Sequence, residues 1–223
     1  GETLSCVVKQ EATGFAFPDG TTTFLCPQSK PMRGFARTSP SYETSYTADD
    51  VAGKNGWGEG YTFPCLFRNG DNGWVLVSET GVNGGYCASR LLGHKGGVYT
   101  IGFPQEGEAN GNGTVSPGIA LPGETPWRTI TVGKTLAPIV ETTVPFDVVK
   151  PLYQAKGEYT YGRGSWSWII GMDGSTNYKE QLRYIDFSAA MGYQSVLVDA
   201  LWDKQIGRDK IEELAKYGKD KGV

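Results

Sequence analysis

"YKEQLRYIDFSAAMGYQSVLVDALWD", residues 178–203, is the stretch on which the reading of this chain turns. Its first half repeats apolar residues at helical spacing, Leu182, Ile185 and Ala189. Gly192 stands where a helix ends in a left-handed residue, and Ser175 or Thr176 is placed to cap the start. The chain then enters SVLV, residues 195–198, an apolar run that reads as a buried strand and leads into Asp199, Trp202 and Asp203. A buried parallel strand needs no carboxylate of its own. A binding pocket at its carboxyl end does.

Working outward, GSWSWIIGM (164–172) supplies a preceding strand, on which alternation puts Trp166 and Trp168 on one face. RDKIEELAKYGKDKG (208–222) gathers Ile211, Leu214, Ala215 and Gly218 on one side of a helix and charges on the other. The order strand, helix, strand, helix predicts parallel neighbouring strands. Two such units do not close an eight-fold barrel, which takes about 250 residues by itself. The chain is therefore expected to be a piece of something larger.

Before residue 145 the pattern is strand and turn. TGFAFPDG (13–20) and TTTFLCP (21–27) read as two short strands about a Pro-Asp-Gly turn. YTFPCLFRNGDNGWVLVSET (61–80) reads as a hairpin, with Phe63, Leu66 and Phe67 before the Asn69–Gly73 turn and Trp74, Val75, Leu76 and Val77 after it. GVYTIGFPQ (97–105) and PWRTITVG (126–133) add strands, joined by glycine-rich connections such as EGEANGNGTVSPG (106–118). This is all-β text, most simply a sandwich. Residues 1–150 are assigned to a β domain and 151–223 to an α/β portion, with the change of pattern falling between Val144 and Tyr161.

Composition narrows the function classes. With 39 % hydrophobic and 20 % charged residues, the 223-residue chain is neither disordered nor membrane-spanning. A net charge of −3 without any Lys/Arg cluster argues against nucleic acid, which needs a concentrated basic footprint. Thirty-two glycines, six tryptophans and twelve tyrosines suit short strands and tight turns, and aromatic faces also stack on sugar rings. Cys6, Cys26, Cys65 and Cys87 contain no CxxC spacing, so structural zinc is not expected; disulfides in an oxidising compartment and free thiols both fit. His94, the single histidine, lies in GHKGG and reads as a turn residue.

The ordered series FPCLFR (63–68), GWVLVSETG (73–81), GGYCASRL (84–91), PWRTITVG, GSWSWII, the 178–203 stretch and IEELAKYGKDKGV (211–223) resembles glycoside hydrolase family 97. These are bacterial exo-acting α-glucosidases and α-galactosidases, and the similarity runs from about Thr13 to Val223. It implies an N-terminal β-super-sandwich, a (β/α)8 catalytic barrel and a C-terminal β domain. The expected fold class is thus α+β and multi-domain: the later part of a β-sandwich (super-sandwich), followed by two βα units of an incomplete (β/α)8 TIM barrel.

In such a barrel the carboxyl ends of the strands line the active site, so Asp199, Trp202, Asp203, Trp166 and Trp168 are expected to bind substrate. An aspartate accepts hydrogen bonds from vicinal sugar hydroxyls, and a tryptophan presents an apolar face to the ring. The structural alternatives are a helix cap for Asp199 and core packing for the tryptophans. The resemblance further implies a calcium ion, with Glu43 of SPSYETSY (39–46) as the ligand sent from the N-terminal domain. Glu79 and Glu141 receive no role, solvent exposure or a backbone contact accounting for each.

Glycoside hydrolysis needs two carboxyl groups flanking the scissile bond. In the family these come from later barrel strands, so no catalytic residue is assigned and the isolated chain is expected to be inactive. The expected function is therefore that of a fragment of a calcium-dependent exo-acting hydrolase of terminal α-glucosidic or α-galactosidic bonds. Its partners would be an α-linked oligosaccharide and either the remainder of the barrel or a second copy to cover exposed apolar faces, with no nucleic acid and no membrane. The parent's location would be periplasmic, no signal segment opening this sequence. The alternative is a non-catalytic carbohydrate-binding β-sandwich protein with a small α/β appendage.

Overall fold

The computed structural model describes residues 4–28, 47–52, 60–95, 97–108, 114–159 and 161–223, and the chain divides into two units of packing, Gly1–Tyr153 and Gln154–Val223. Glu43 lies outside the described residues.

The first unit runs β1 (Ser5–Val7), β2 (Gly14–Ala16), β3 (Thr22–Pro27), β4 (Thr47–Val51), β5 (Tyr61–Asn69), β6 (Gly73–Thr80), β7 (Arg90–Lys95), β8 (Val98–Gly102), β9 (Gly118–Ala120) and β10 (Trp127–Gly133). Two short helices follow, α1 (Ala137–Val140) and α2 (Val144–Asp147). All pairings in this unit are antiparallel: β1 with β9 in a two-stranded sheet, the others in an eight-stranded sheet of order β10-β6-β5-β7-β8-β2, with β3 on β5 and β4 on β3. The hairpin expected at 61–80 is present, with Cys65 opposite Val77 and Asn69 opposite Gly73. Gly73, at φ 137°, is required by a neighbour: a Cβ there would lie 2.5 Å from the carbonyl oxygen of Gly133 on β10.

Among the described residues the eight-stranded sheet folds over on itself. In the ladder, Tyr61 pairs with Leu91 and Leu91 with Ile101, so Phe67 and Tyr99 lie on opposite sides of that row, eight positions apart along the strands. At about 3.3 Å per residue a flat sheet would hold them more than 20 Å apart. Their ring centroids are instead 5.2 Å apart, and Phe17 stacks on Phe67 at 4.0 Å. The β7-β8-β2 arm therefore lies across the face of β3, β5 and β6. The buried cluster between them contains Phe15, Leu25, Tyr61, Cys65, Phe67, Val77, Leu91, Tyr99 and Ile101. Pro64, which has no N–H to give, sits where β6 has ceased to pair with β5 and the β3 register shifts.

Two side-chain expectations, for Glu79 and His94, change here. Glu79 is not solvent-exposed: Arg128, its register partner on β10, donates to it at 2.7 Å and to Glu11 at 2.8 Å, and Ser89 donates to the same Glu79 oxygen. All three charged side chains are nearly enclosed. Glu141, by contrast, is exposed. His94 falls within β7, the reversal coming after it, before Val98. All four cysteines are free thiols, and burial holds the Cys65 thiol far above its ordinary pKa, with Cys26 adding to the effect. Such a thiol stays protonated and unreactive.

The second unit runs β11 (Gly164–Trp166), α3 (Trp168–Gly171), a 3-10 turn over Met172–Ser175, α4 (Tyr178–Met191), β12 (Ser195–Leu197), α5 (Trp202–Gln205) and α6 (Arg208–Lys221). β11 and β12 are parallel, with Gly164, Ser165 and Trp166 opposite Ser195, Val196 and Leu197. Gly192 closes α4 at φ 67°, as expected. The N-cap is Asn177 rather than Ser175 or Thr176: its extended backbone lets the side chain accept from the Glu180 N–H at 2.9 Å, while Ser175 is spent inside the 3-10 turn. Replacing Asn177 by alanine should cost about 1 kcal/mol, read as a fall in midpoint when unfolding is followed by helix ellipticity.

α4 and α6 pack through Ile185, Leu214 and Gly218, whereas Ala215 remains exposed. At their rim Tyr217 donates to Asp186 at 2.7 Å and Lys221 pairs with it at 2.9 Å, holding that carboxyl below its usual range. Among the described residues no helix is long and apolar enough to cross a membrane.

Candidate functional site

Strand parity organises the second unit. Ser165 on β11 is buried against α4, where its hydroxyl meets that of Ser188 at 2.6 Å. The next residue, Trp166, and its register partner Leu197 point to the opposite face, away from α4. Leu197 is 52 % exposed there. A parallel sheet is normally covered on both faces.

At the carboxyl end of the two strands, Trp166 and Trp168 stack with centroids 5.5 Å apart and planes 18° from parallel. The expectation that both lie on one strand fails: β11 ends at Trp166, and Trp168 opens the helical turn α3. Each indole N–H is spent on a carboxylate, Trp166 on Asp199 at 3.2 Å and Trp168 on Asp173 at 2.9 Å. Asp199 does not cap the next helix. It lies beyond the last paired residue of β12, and its second oxygen accepts from the N–H of Ala200 at 2.7 Å.

The structure thus brings together Trp166, Trp168 and Asp199 and adds Asp173. Trp202 begins α5, with the Arg208 guanidinium 5.8 Å over its ring. Asp203 is exposed on the same short helix, and among the described residues no hydrogen bond or ion pair ties it to the tryptophan pair. Both loops of the site hold a non-glycine residue at positive φ, Met172 at 49° and Leu201 at 70°. Such conformations cost about 1–3 kcal/mol each and persist where the surroundings enforce them. The Gln205 amide, with its nitrogen turned toward them, donates to the carbonyls of Asp173 at 2.9 Å and Thr176 at 2.7 Å, and so joins α5 to the loop after β11.

Beneath the platform lies a polar network that apolar periodicity did not reveal. Gln181 and Ser188 share the buried stripe of α4 with Ile185. The Gln181 amide donates to the Ser167 hydroxyl at 2.9 Å and to the Ser175 carbonyl at 2.8 Å. The Ser175 hydroxyl donates to that of Ser167 at 2.9 Å. Asp173 was in principle visible as an acid five residues after a tryptophan; Gln181 carried no signal at all.

Calcium takes six to eight oxygen ligands. Among the described residues no group of three His, Cys, Asp or Glu side chains is arranged to hold a metal ion.

Residues 2–151 match the glycosyl-hydrolase 97 N-terminal family. A probable retaining α-galactosidase of Streptomyces bingchenggensis (strain BCW-1) is 30 % identical over 165 residues, 67 % of this chain and 24 % of that protein. A crystal structure of a β-arabinopyranosidase superposes with a TM-score of 0.91 at 59 % identity, covering 99 % of this chain and 35 % of that one. A glycoside hydrolase family 97 enzyme of Pseudoalteromonas sp. strain K8 in complex with panose gives a TM-score of 0.67 at 23 % identity, with the same coverage, a likeness of fold. The chain spans about a third or less of the length of these relatives.

Proposed function

This chain belongs to glycoside hydrolase family 97, and on that premise we propose that it is the part of an exo-acting glycosidase that builds one wall of the pocket for the terminal sugar. The observation that carries this reading is the Trp166 N–H bonded to Asp199 at the carboxyl end of two parallel strands, on the face turned away from α4. β11-α4 and β12-α6 are the first two units of a (β/α)8 barrel. Further strands of the barrel, or failing them a second copy, cover Leu197 and its neighbours. The stacked indoles offer an apolar wall to the C–H face of a pyranose, and Asp199 accepts charge-assisted hydrogen bonds from its hydroxyls.

The sugar is of galacto configuration. β-L-Arabinopyranose has the ring stereochemistry of α-D-galactopyranose without the C6 hydroxymethyl group, so a pocket that ignores C6 accepts both. The names of the two relatives, an α-galactosidase and a β-arabinopyranosidase, support that single stereochemistry over the gluco epimer. The chain itself supplies binding and orientation. The acid and its partner carboxylate belong to later strands, the 223-residue chain alone turns nothing over, and Glu43 contributes to a calcium site in the complete periplasmic enzyme.

The test is hydrolysis by the full-length enzyme of p-nitrophenyl α-D-galactopyranoside, β-L-arabinopyranoside and α-D-glucopyranoside, with and without a calcium chelator. The first two should react, and the gluco epimer should trail by on the order of 100-fold in kcat/KM. Chelation should lower all rates. Asp199→Ala should lower kcat/KM by about 10- to 100-fold, the worth of a hydrogen bond to a charged group. Preference for the glucoside, or an Asp199→Ala enzyme indistinguishable from wild type, would overturn this reading, as would turnover by the 223-residue chain.

A further inference from the structure

We propose that Gln181 is the positioning residue of the tryptophan platform. The proposal rests on the reading of Trp166 and Trp168 as a sugar-binding wall. Trp168 and Asp173 sit in the middle of a loop whose two ends, Ser167 and Ser175, are buried. One side-chain amide holds both ends: Gln181 Nε2 reaches Ser167 Oγ at 2.9 Å and Ser175 O at 2.8 Å. Ser175 Oγ closes the ring on Ser167 Oγ at 2.9 Å and lies 2.8 Å from Met172 O. Met172 is the residue held at positive φ, so the network grips the loop at its most strained point.

Stability alone does not account for this arrangement. Gln181 is 0 % exposed, and its Oε1 finds no hydrogen-bond partner among the described residues. A buried amide with an unsatisfied oxygen is a poor way to fill a helix-to-sheet interface, where an apolar side chain of the same length leaves nothing unpaired on its own account. What the amide does, and an apolar residue does not, is fix the distance between the two loop ends. That distance sets the angle at which Trp168 leaves the backbone and hence its stacking on Trp166, 5.5 Å away.

The experiment uses the full-length enzyme with Gln181→Met, which keeps the length and removes the donors, and Trp168→Phe, which removes the pair. Three readouts are taken: the exciton couplet of the stacked indoles by circular dichroism, helix ellipticity, and binding of D-galactose and L-arabinose by ligand-observed NMR. Gln181→Met should reduce the couplet to the level of Trp168→Phe and weaken sugar binding at least 10-fold while helix ellipticity is kept. A variant that unfolds at lower temperature yet keeps both couplet and affinity would overturn the proposal. If Gln181→Met does not fold, Ser167→Ala removes the acceptor without touching α4 and should give the same two losses; retention of both again overturns it. The underlying reading fails separately: if Trp168→Phe and Asp199→Ala leave sugar binding unchanged, or the wild-type enzyme binds neither sugar, the platform is not a sugar wall, whatever Gln181 does to the couplet.

Discussion

Arg128→Leu should cost the first unit about 3–5 kcal/mol at pH 7, because it strands two carboxylates in a place that neither can leave. Arg128 lies between Glu11 at 2.8 Å and Glu79 at 2.7 Å, all three side chains shielded from solvent. Even with the arginine present, burial raises the Glu79 carboxyl above its usual pKa; Ser89 and Arg128 oppose the shift and Glu11 adds to it. The sign follows. A native state that holds the Glu79 proton more tightly than the unfolded chain loses stability as pH rises from the ordinary carboxylate range through the raised native value. Removing Arg128 lifts the upper edge of that window, so the variant should recover part of its loss at pH 5, and urea unfolding at pH 5 and 7 measures it. An equal loss at both pH values would mean that Arg128 acts by packing, not by pairing.

Phe67→Ala should cost a similar 3–5 kcal/mol. Phe67 is 0 % exposed and meets both Phe17 and Tyr99, residues that reach it only because the sheet folds over. Truncation leaves a cavity between the two halves of one sheet. Val132→Ala, on the same sheet but 66 % exposed, should change stability by less than about 0.5 kcal/mol. Comparable losses at the two positions would contradict the fold-over as the source of stability.

Local features of this fold were legible in the residues, and those set by distant partners were not. The hairpin at 61–80, the close of α4 at Gly192 and the parallel pairing of β11 with β12 follow from turn chemistry and periodicity. Ser175, Thr176 and Asn177 are all capping types in a row, and only the backbone angles choose among them. Trp168 leaves the strand because pairing stops at Trp166 and Leu197, a limit set by the neighbour. Glu79 reads as solvent-exposed or bonded to the backbone because its partner Arg128 is a register mate on another strand. Gln181 and Ser188 were invisible because an apolar count records a buried polar residue as a surface one. Of the site, Trp166, Trp168 and Asp199 are legible in the residues; Asp173 and the serine-glutamine network rest on contacts that no local pattern carries.

The reach of the Glu11–Arg128 bridge bears on how this chain is born. Its ends are 117 residues apart in sequence, whereas Gln181 and Ser167 are separated by 14. At a ribosomal pace of 5–20 residues per second, Glu11 waits roughly 6–23 s after emerging before Arg128 exists to meet it. β1 and β2 wait similarly for β9 and β8. Until β8 is made, Phe15 has no strand partner, whereas Ser167 waits only about 1–3 s for Gln181. The early residues of this polypeptide are thus the ones that a chaperone at the exit tunnel would have to shelter.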